Sequence, residues 1–351
     1  MAERTRPANR LTRTVKENAH IDSSIDGGTS GAAVRAVRLA RTRRGVTGAD
    51  IKRFFVKYKF FHLLVLPGVA YYLVFHYLPM FGLAIAFNDY NGMGGVMGMI
   101  TAPWVGFKNF ADLFHSIYFF RLLRNTFIIS GLRLLFGFPA PIILAILLSE
   151  VRSNPFRRVV QTISYLPHFL SWVVIAGLVS MLLGSEGPIN ALLGAIFGIK
   201  PIVFLTDTRY FRGVLVASGI WKSIGWNSII YFAAISNIPS EHIEVAVVEG
   251  ATRFQRIWYI SLPWLRFIIT IMLILSIGQI INEDFEQIFN LYNPAVYSVS
   301  DVFETYIYRK GLGERDFSYA TAVGLFKSVV AFVMVIGTNR LAKSLGQESL
   351  W

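Results

Sequence analysis

The stretch EVAVVEGATRFQRIWYISLP, residues 244–263, lies between two strongly apolar parts of the chain. It combines two glutamates, two arginines and one glycine with apolar side chains, and it ends on Pro263. The glycine and the spacing of the apolar residues predict two short helices that meet at Gly250, because glycine commonly ends a helix. The stretch is too polar for a membrane span and too regular for an open loop.

The first of these helices is predicted at about residues 240–249, with Ser240 as its N-cap. Glu241 and Glu244 fall in the first turn, where the helix dipole favours negative charge. A narrow apolar face with i, i+3, i+4, i+7 spacing is formed by Ile243, Ala246, Val247 and Gly250. Since this helix carries acids and no base, a groove on a protein partner is favoured over the lipid surface, where Lys and Arg prevail.

The second helix is predicted to carry Phe254, Ile257 and Trp258 on one face. It is expected to end before Pro263, which suits the first turn of a following membrane helix. The whole segment is thus predicted to consist of a short amphipathic helix, a glycine joint and a second helix that leads into a membrane span.

The composition of the whole chain indicates a membrane protein. Of its 351 residues, 54% are apolar and only 16% are charged, whereas soluble domains carry about 25% charged residues. The chain has no cysteine, which excludes disulfides, thiolate metal sites and cysteine nucleophiles. The sequence also shows no grouping of histidines and acids with metal-ligand spacing.

Long apolar runs predict an all-α polytopic membrane protein with six transmembrane helices. The predicted spans lie at about 60–84, 124–149, 159–183, 211–236, 264–286 and 318–341. They form a transmembrane domain over residues 53–345. A basic tail, residues 1–52, is expected to be disordered and cytoplasmic, and residues 346–351 form a short C-terminal tail.

The distribution of basic residues predicts the orientation of these spans. The segments on the side of the termini hold 21 Lys and Arg residues, and those on the other side hold 7. The positive-inside rule then places both termini, and residues 240–263, in the cytoplasm. Much of the net charge of +13 lies in the N-terminal tail, where attraction to anionic lipid head groups is favoured over nucleic-acid binding.

The segment 244–263 resembles the cytoplasmic coupling motif of importer-type ATP-binding-cassette permeases. That motif reads Glu-Ala-Ala, three residues, Gly, nine residues, Ile, one residue, Leu-Pro. The matching residues are Glu244, Ala246, Gly250, Ile260, Leu262 and Pro263. The chain departs from the motif at Val245, where the family prefers alanine, and has Glu249 where aspartate is common.

The resemblance covers roughly residues 54–345 and extends to the branch that imports oligosaccharides and polysaccharide fragments. WVGFKNFADLF (104–114) and YLPHFLSWVV (165–174) are among the segments that carry it. Within this branch the chain is similar to membrane subunits of bacterial alginate importers, which implies an acidic polysaccharide as substrate. The implied fold is the importer permease fold with a cytoplasmic coupling helix, in the bacterial cytoplasmic membrane.

The resemblance also implies partners: a second, similar permease, two ATPase subunits and an extracytoplasmic solute-binding protein. The residues it assigns to ATPase coupling are Glu241, Glu244, Ala246, Glu249, Gly250, Ile260, Leu262 and Pro263. Glu244 is expected to pair with a base on the ATPase, and Gly250 to set the angle between the two helices. The chain lacks the Gly-x-x-x-x-Gly-Lys-[Ser/Thr] phosphate loop, so ATP and Mg²⁺ are expected on the partner subunits and no cofactor on this chain.

Ionisable residues within the spans are candidates for the substrate path. Arg133, Lys222 and Lys327 lie near mid-depth of predicted spans two, four and six. Acids and amides near the outer end of span five are Asn282, Glu283, Asp284, Glu286 and Gln287. Two interpretations stay open: the bases line a path for an acidic sugar, or they pair with these acids and hold the bundle together.

Predicted span four offers a second kind of sugar contact in GIWKSIGWNSIIYF, residues 219–232. Aromatic faces stack on sugar rings and amides bond sugar hydroxyls; the candidates are Trp221, Trp226, Asn227 and Tyr231. The competing interpretation is packing against lipid or neighbouring helices.

Two other classes of protein are alternatives to the importer permease. A secondary transporter driven by an ion gradient is the alternative function, but such folds usually contain inverted repeats, and none is clear in this sequence. A membrane-embedded enzyme would need catalytic residues clustered at one depth, and no such cluster stands out.

Overall fold

A computed structural model describes residues 57–278 and 285–344 of the chain. No strand runs within these ranges, where one isolated bridge pairs Asn88 with Trp104. The chain divides into two units, Met1–Tyr77 and Leu78–Trp351. Predicted features that lie outside the described residues are the tails 1–52 and 346–351 and the residues Asn282, Glu283 and Asp284.

In the first unit, the described residues form helix α1, Lys59–Tyr72, and a π turn, Leu73–Tyr77. Helix α1 buries none of its side chains. Its large apolar residues are strongly exposed, as at Phe60 and Leu64. Such a helix requires a bilayer or another protein as its surroundings, because an apolar surface of this extent is rare on a protein in water.

The second unit begins with short helices, which are followed by two longer helices joined by a π turn. These elements are α2 Leu78–Met80, a 3₁₀ helix Phe81–Phe87, α3 Gly95–Thr101, α4 Lys108–His115, α5 Phe119–Leu132, a π turn Arg133–Gly137 and α6 Pro139–Ser149. They are followed by α7 Asn154–Tyr165, a 3₁₀ turn Leu166–Phe169, α8 Trp172–Leu183, α9 Pro188–Phe197 and α10 Phe211–Ser236.

The predicted coupling segment, residues 240–263, and the last long helix complete this unit. The predicted coupling segment and the helix that follows it contain α11 Ser240–Val248, α12 Arg253–Arg256, a π turn Ile257–Ser261 and α13 Leu262–Gly278. The remaining elements are α14 Phe285–Leu291, a 3₁₀ turn Pro294–Val296, α15 Tyr297–Ser300, α16 Phe303–Tyr308, a π turn Arg309–Gly313 and α17 Phe317–Ser344.

Five helical runs in the described residues are long and apolar enough to cross a membrane. They are Lys59–Phe87, Phe119–Ser149, Trp172–Phe197, Arg253–Ile277 and Phe317–Gly337. Helix α10 has 26 residues and the predicted bounds, but its polar side chains set it apart from these five. It packs against α5, α6, α7, α8, α13, α14 and α15, and Ser218 and Ser228 are buried in these contacts. The six-span count stays a prediction.

Three prolines explain three of the π turns in the described residues. Each turn is followed, after one residue, by Pro79, Pro139 or Pro263. Proline has no N–H and its ring clashes with the carbonyl four residues earlier, so one wider turn lets the helix continue. The helix therefore runs from Arg253 to Gly278 through Pro263. The predicted helix end before Pro263 was wrong, and the helical run that contains predicted span five starts at Arg253.

The prediction of one helix over residues 159–183 was also wrong. Helix α7 ends at Tyr165, and Leu170 after the following 3₁₀ turn is extended. Helix α8 then starts anew, with the hydroxyl of Ser171 accepting from the N–H of Val174. Pro167 explains the break, since it removes a donor and disfavours the helical conformation of the residue before it.

A buried apolar cluster joins α6, α10 and α13 and positions the sites described below. We call it the α6–α10–α13 cluster; its members are Ile142, Ala145, Ile146, Tyr231, Ala234, Ile235, Ile238 and Leu265. Leu265 is fully buried. Because packed side chains have little free volume, these three helices are expected to move together locally.

Candidate coupling segment and translocation cavity

Helix α11 presents an acidic and apolar surface that no other part of the described chain covers. None of its residues is buried; Val245 is 57% and Val248 88% exposed. Glu241 and Glu244 are also exposed. The predicted N-cap at Ser240 was wrong, because Pro239 holds the cap position and no side-chain capping bond forms.

The end of α11 is built around Gly250, which has a φ of 81°. The N–H of Gly250 donates to the carbonyl of Val247 (3.0 Å), and that of Ala251 donates to the carbonyl of Ala246 (2.8 Å). These two bonds form a Schellman motif, which needs a left-handed residue after the helix and therefore favours glycine. The predicted glycine joint is confirmed.

The start of α12 is fixed by a capping box. The hydroxyl of Thr252 accepts from the N–H of Gln255 (3.3 Å), and the Gln255 side chain accepts from the N–H of Thr252 (2.7 Å). Only a few residues therefore separate the two helices. Backbone hydrogen bonds fix the end of α11 before this connection and the start of α12 after it. Such a joint holds one angle between α11 and the helix that becomes span five.

An ion pair ties the start of span five to the end of span two. The guanidinium of Arg256 lies 3.3 Å from a carboxylate oxygen of Glu150, directly after α6. Arg256 also lines a cavity of about 330 Å³ beside the joint, together with Ala246, Glu249 and Gly250. Its Nε atom is buried and has no partner among the described residues.

The remaining motif residues connect this segment to the interior. Ile260 and Leu262 pack against the α6–α10–α13 cluster. Pro263 is exposed and follows the π turn described above. The eight predicted coupling residues thus fall into two groups: those on the exposed helix and joint, and those that anchor span five.

A cavity of about 620 Å³ lies between α5, α6, α10 and α13. Four of the predicted path residues line it: Arg133, Trp226, Asn227 and Tyr231. Its wall also carries the hydroxyl groups of Ser130, Ser223 and Ser276. A basic group, aromatic rings and hydrogen-bonding side chains therefore converge on one space of a size typical of ligand sites.

Gln287 lies outside the cavity and contacts Arg133, a residue of its wall. Its side chain is fully buried, donates to the carbonyl of Leu215 (2.7 Å) and the hydroxyl of Ser218 (2.9 Å), and accepts from Arg133 (2.5 Å). Gln287 was predicted as a path residue, but it does not line the cavity. It instead orients the guanidinium of Arg133, which does.

Lys222 and Trp221 lie outside the cavity lining. The ammonium of Lys222 donates to the carbonyls of His168 (3.2 Å) and Leu170, where span three is broken. It thereby satisfies carbonyls that the break would leave without a donor. His168 in turn stacks on Trp226, with ring centroids 4.6 Å apart.

Predicted pairings of the bases with Glu283 and Asp284 lie outside the described residues and stay predictions. Lys327 forms an ion pair with Glu304 in α16, and Glu286 is exposed. Local spacing could not reveal Glu304, since it lies 23 residues away. The same holds for Glu150 and Arg256, which neither motif nor periodicity singled out.

Comparisons with known proteins agree with this arrangement. A sequence model of the binding-protein-dependent transport system inner membrane component family matches residues 137–347. Protein LplB of Bacillus subtilis (strain 168) is 44% identical over 84% of this chain and 91% of its own length. The polygalacturonan/rhamnogalacturonan transport system permease protein YteP of the same organism is 41% identical over 91% of this chain and 97% of its own.

Two solved structures have the same fold. One is a bacterial ABC transporter involved in the import of the acidic polysaccharide alginate, with a TM-score of 0.76 and 41% identity over 84% of this chain and 98% of that chain. The other is a bacterial alginate ABC transporter in complex with an alginate pentasaccharide-bound periplasmic protein, with the same score and identity over 87% and 100%. The chain therefore belongs to the family of inner membrane permease components of binding-protein-dependent transport systems.

Proposed function

We propose that this chain is one permease subunit of an ATP-driven importer for acidic oligosaccharides or polysaccharide fragments. The observation that carries the proposal is the 620 Å³ cavity, where Arg133 lies beside Trp226, Asn227 and Tyr231. The similar proteins support the same substrate class, since one transports polygalacturonan or rhamnogalacturonan and another imports alginate. Family membership supports this function over the ion-gradient alternative.

The chemistry of this wall suits a carboxylated sugar. Aromatic faces offer apolar surface to a pyranose ring, and the amide of Asn227 and the hydroxyl of Tyr231 can bond its hydroxyl groups. The positive charge of the Arg133 guanidinium can attract and orient a sugar carboxylate. The attraction is stronger there than in water, because the surroundings are less polarisable.

The coupling segment supports the proposed partners. Two ATPase subunits would bind ATP and Mg²⁺, and one of them would receive the exposed surface of α11 in a groove. A second, similar permease would complete the path, and an extracytoplasmic binding protein would deliver the sugar. In this arrangement the termini and α11 face the cytoplasm, as the distribution of basic residues predicts.

The test is sugar uptake by the complete complex in lipid vesicles, with a uronate oligomer and a neutral one. Arg133→Gln removes the charge from the cavity wall and is expected to lower uronate uptake at least about tenfold, because a charge-assisted bond contributes about 1.5–3 kcal/mol. Uptake of a neutral sugar should change little.

Lys327→Gln is the matched control, since it removes the same charge from a residue that is paired with Glu304 and lies outside the cavity. It is expected to lower the melting temperature of the complex without changing the ratio of the two sugars. Equal losses for both sugars in Arg133→Gln would contradict the proposed substrate class.

A further inference from the structure

A second site of interest lies at the other end of span two. A cavity of about 400 Å³ is lined by residues just before and within α5 and by the segment 294–314; among them are Tyr118, Arg121, Tyr297, Arg309 and Lys310. The helical run Phe119–Ser149 has 31 residues, so its ends are about 45 Å apart. Because Glu150 at the far end contacts the coupling segment, this cavity opens on the opposite side, which we call the outer end.

The charges around this cavity leave one base without an acid. Asp301 is 1% exposed and binds Arg309 through both oxygens, at 3.2 and 2.5 Å. Glu314 pairs with Lys310 at 2.5 Å. Arg121 lies over the ring of Tyr118 at 5.2 Å and has no carboxylate partner among the described residues. The cavity therefore has the charge to receive a single carboxylate.

Three tyrosine rings, of Tyr118, Tyr297 and Tyr306, also line this cavity. The rings of Tyr118 and Tyr306 lie 5.6 Å apart, and the guanidinium of Arg309 lies between Tyr297 and Tyr306, at 4.9 and 5.4 Å from the ring centres. A tyrosine offers an apolar face and a hydrogen-bonding hydroxyl, which together match a sugar ring and its hydroxyl groups.

This wall is held rigidly. The Asp301 carboxylate accepts from the hydroxyl of Thr305 (2.8 Å), and its backbone carbonyl accepts from Asn125 in α5 (3.0 Å). Burial lowers the pKa of Arg309, but the hydrogen bonds and charge of Asp301 outweigh burial and hold this pKa above its usual value. Arg309 thus stays charged and fixed, and binding needs little ordering of side chains.

We propose that this outer cavity is a separate carbohydrate site that binds one uronate residue of an acidic oligosaccharide before it reaches the translocation cavity. The carboxylate pairs with Arg121, and the sugar ring lies against Tyr118 and Tyr297. The proposal rests on the proposed function, since it names the same class of substrate at a second position.

The test is equilibrium binding to the complex of permeases and ATPases in lipid discs, without ATP and without the binding protein. Each variant is also measured together with Arg133→Gln, so that the translocation cavity does not mask the outer cavity. The probes are trimers of galacturonate and of mannuronate, with neutral maltotriose for comparison. Arg121→Gln should weaken binding of a uronate trimer at least about tenfold, as expected for loss of a charged hydrogen bond. Arg121→Lys should keep more of the affinity, because it retains the charge.

Arg209→Gln is the control: it removes an exposed base that lies outside the cavity. It should bind the trimers like wild type, and maltotriose should bind weakly to all variants. A wild-type complex that binds neither uronate trimer, or an Arg121→Gln complex with unchanged melting temperature and affinity, would overturn the outer site. Uronate uptake by wild type tests the proposed function separately, because the two failures affect different measurements.

Discussion

The joint at Gly250 allows a sharp test of coupling. Its φ of 81° is left-handed, and a methyl group added there would meet no atom within 4 Å. Gly250→Ala therefore costs only the left-handed conformation, about 1–2 kcal/mol, or a factor of about 5–30 in the ratio of ordered to opened joint. Gly250→Pro is more severe, since proline requires a φ near −65° and loses the bond to Val247.

We expect Gly250→Pro to abolish sugar-stimulated ATP hydrolysis in the assembled complex, and Gly250→Ala to reduce it. Both variants should insert and assemble, because Gly250 is exposed and packs against nothing. The assays are ATP hydrolysis with and without sugar-loaded binding protein, and recovery of the partner subunits on purification.

Gly198 provides the matched control at another helix end. It has a φ of 66°, and an added methyl would meet no atom within 4 Å. Its N–H donates to the carbonyl of Gly194 at 3.0 Å, the same distance as in the bond from Gly250 to Val247. Gly198→Ala and Gly198→Pro should carry the same local cost and leave stimulation intact. Normal stimulation in an assembled Gly250→Pro complex would refute the view that the joint transmits force.

Two further predictions concern the same segment. Glu150→Arg should weaken coupling because it places two cations together, and the double exchange Glu150→Arg with Arg256→Glu should restore part of it; equal activity of single and double variants in the ATP hydrolysis assay would contradict this. Glu244→Lys should reduce recovery of the ATPase subunit from detergent, since the exposed carboxylate is expected to face a base. The control is Glu286→Lys, an equal charge reversal at an exposed residue outside the coupling segment, which should not affect recovery.

Features set by local chemistry could be predicted well. The predicted bounds of span four match the helix Phe211–Ser236, and the helical runs Phe119–Ser149 and Phe317–Ser344 contain all of predicted spans two and six. For spans two and six apolar length alone is enough, because a bilayer of about 30 Å requires roughly 20 residues. The helix end at Gly250 could be predicted because a left-handed residue after a helix is usually glycine.

Features that depend on distant residues or on competition between helix and proline could not be predicted. Pro167 in YLPHFLS indicated the break in span three. The apolar run around it nevertheless led to the prediction of one continuous helix. Pro263 led to the opposite error. A helix end was predicted before it, but the helix continues because a π turn accommodates the proline. The ion pairs of Glu150 and Lys327 join residues 106 and 23 positions apart, which no periodicity records.

The coupling segment and the translocation cavity share one packed cluster. Ile260 of the motif packs against the α6–α10–α13 cluster, and Tyr231 belongs both to that cluster and to the cavity wall. A rotation of α11 that is carried through the rigid joint into span five must therefore either displace Tyr231 or open a void beside it. Since voids in a packed interior are costly, we expect displacement of Tyr231 and, with it, a change in the shape of the cavity wall.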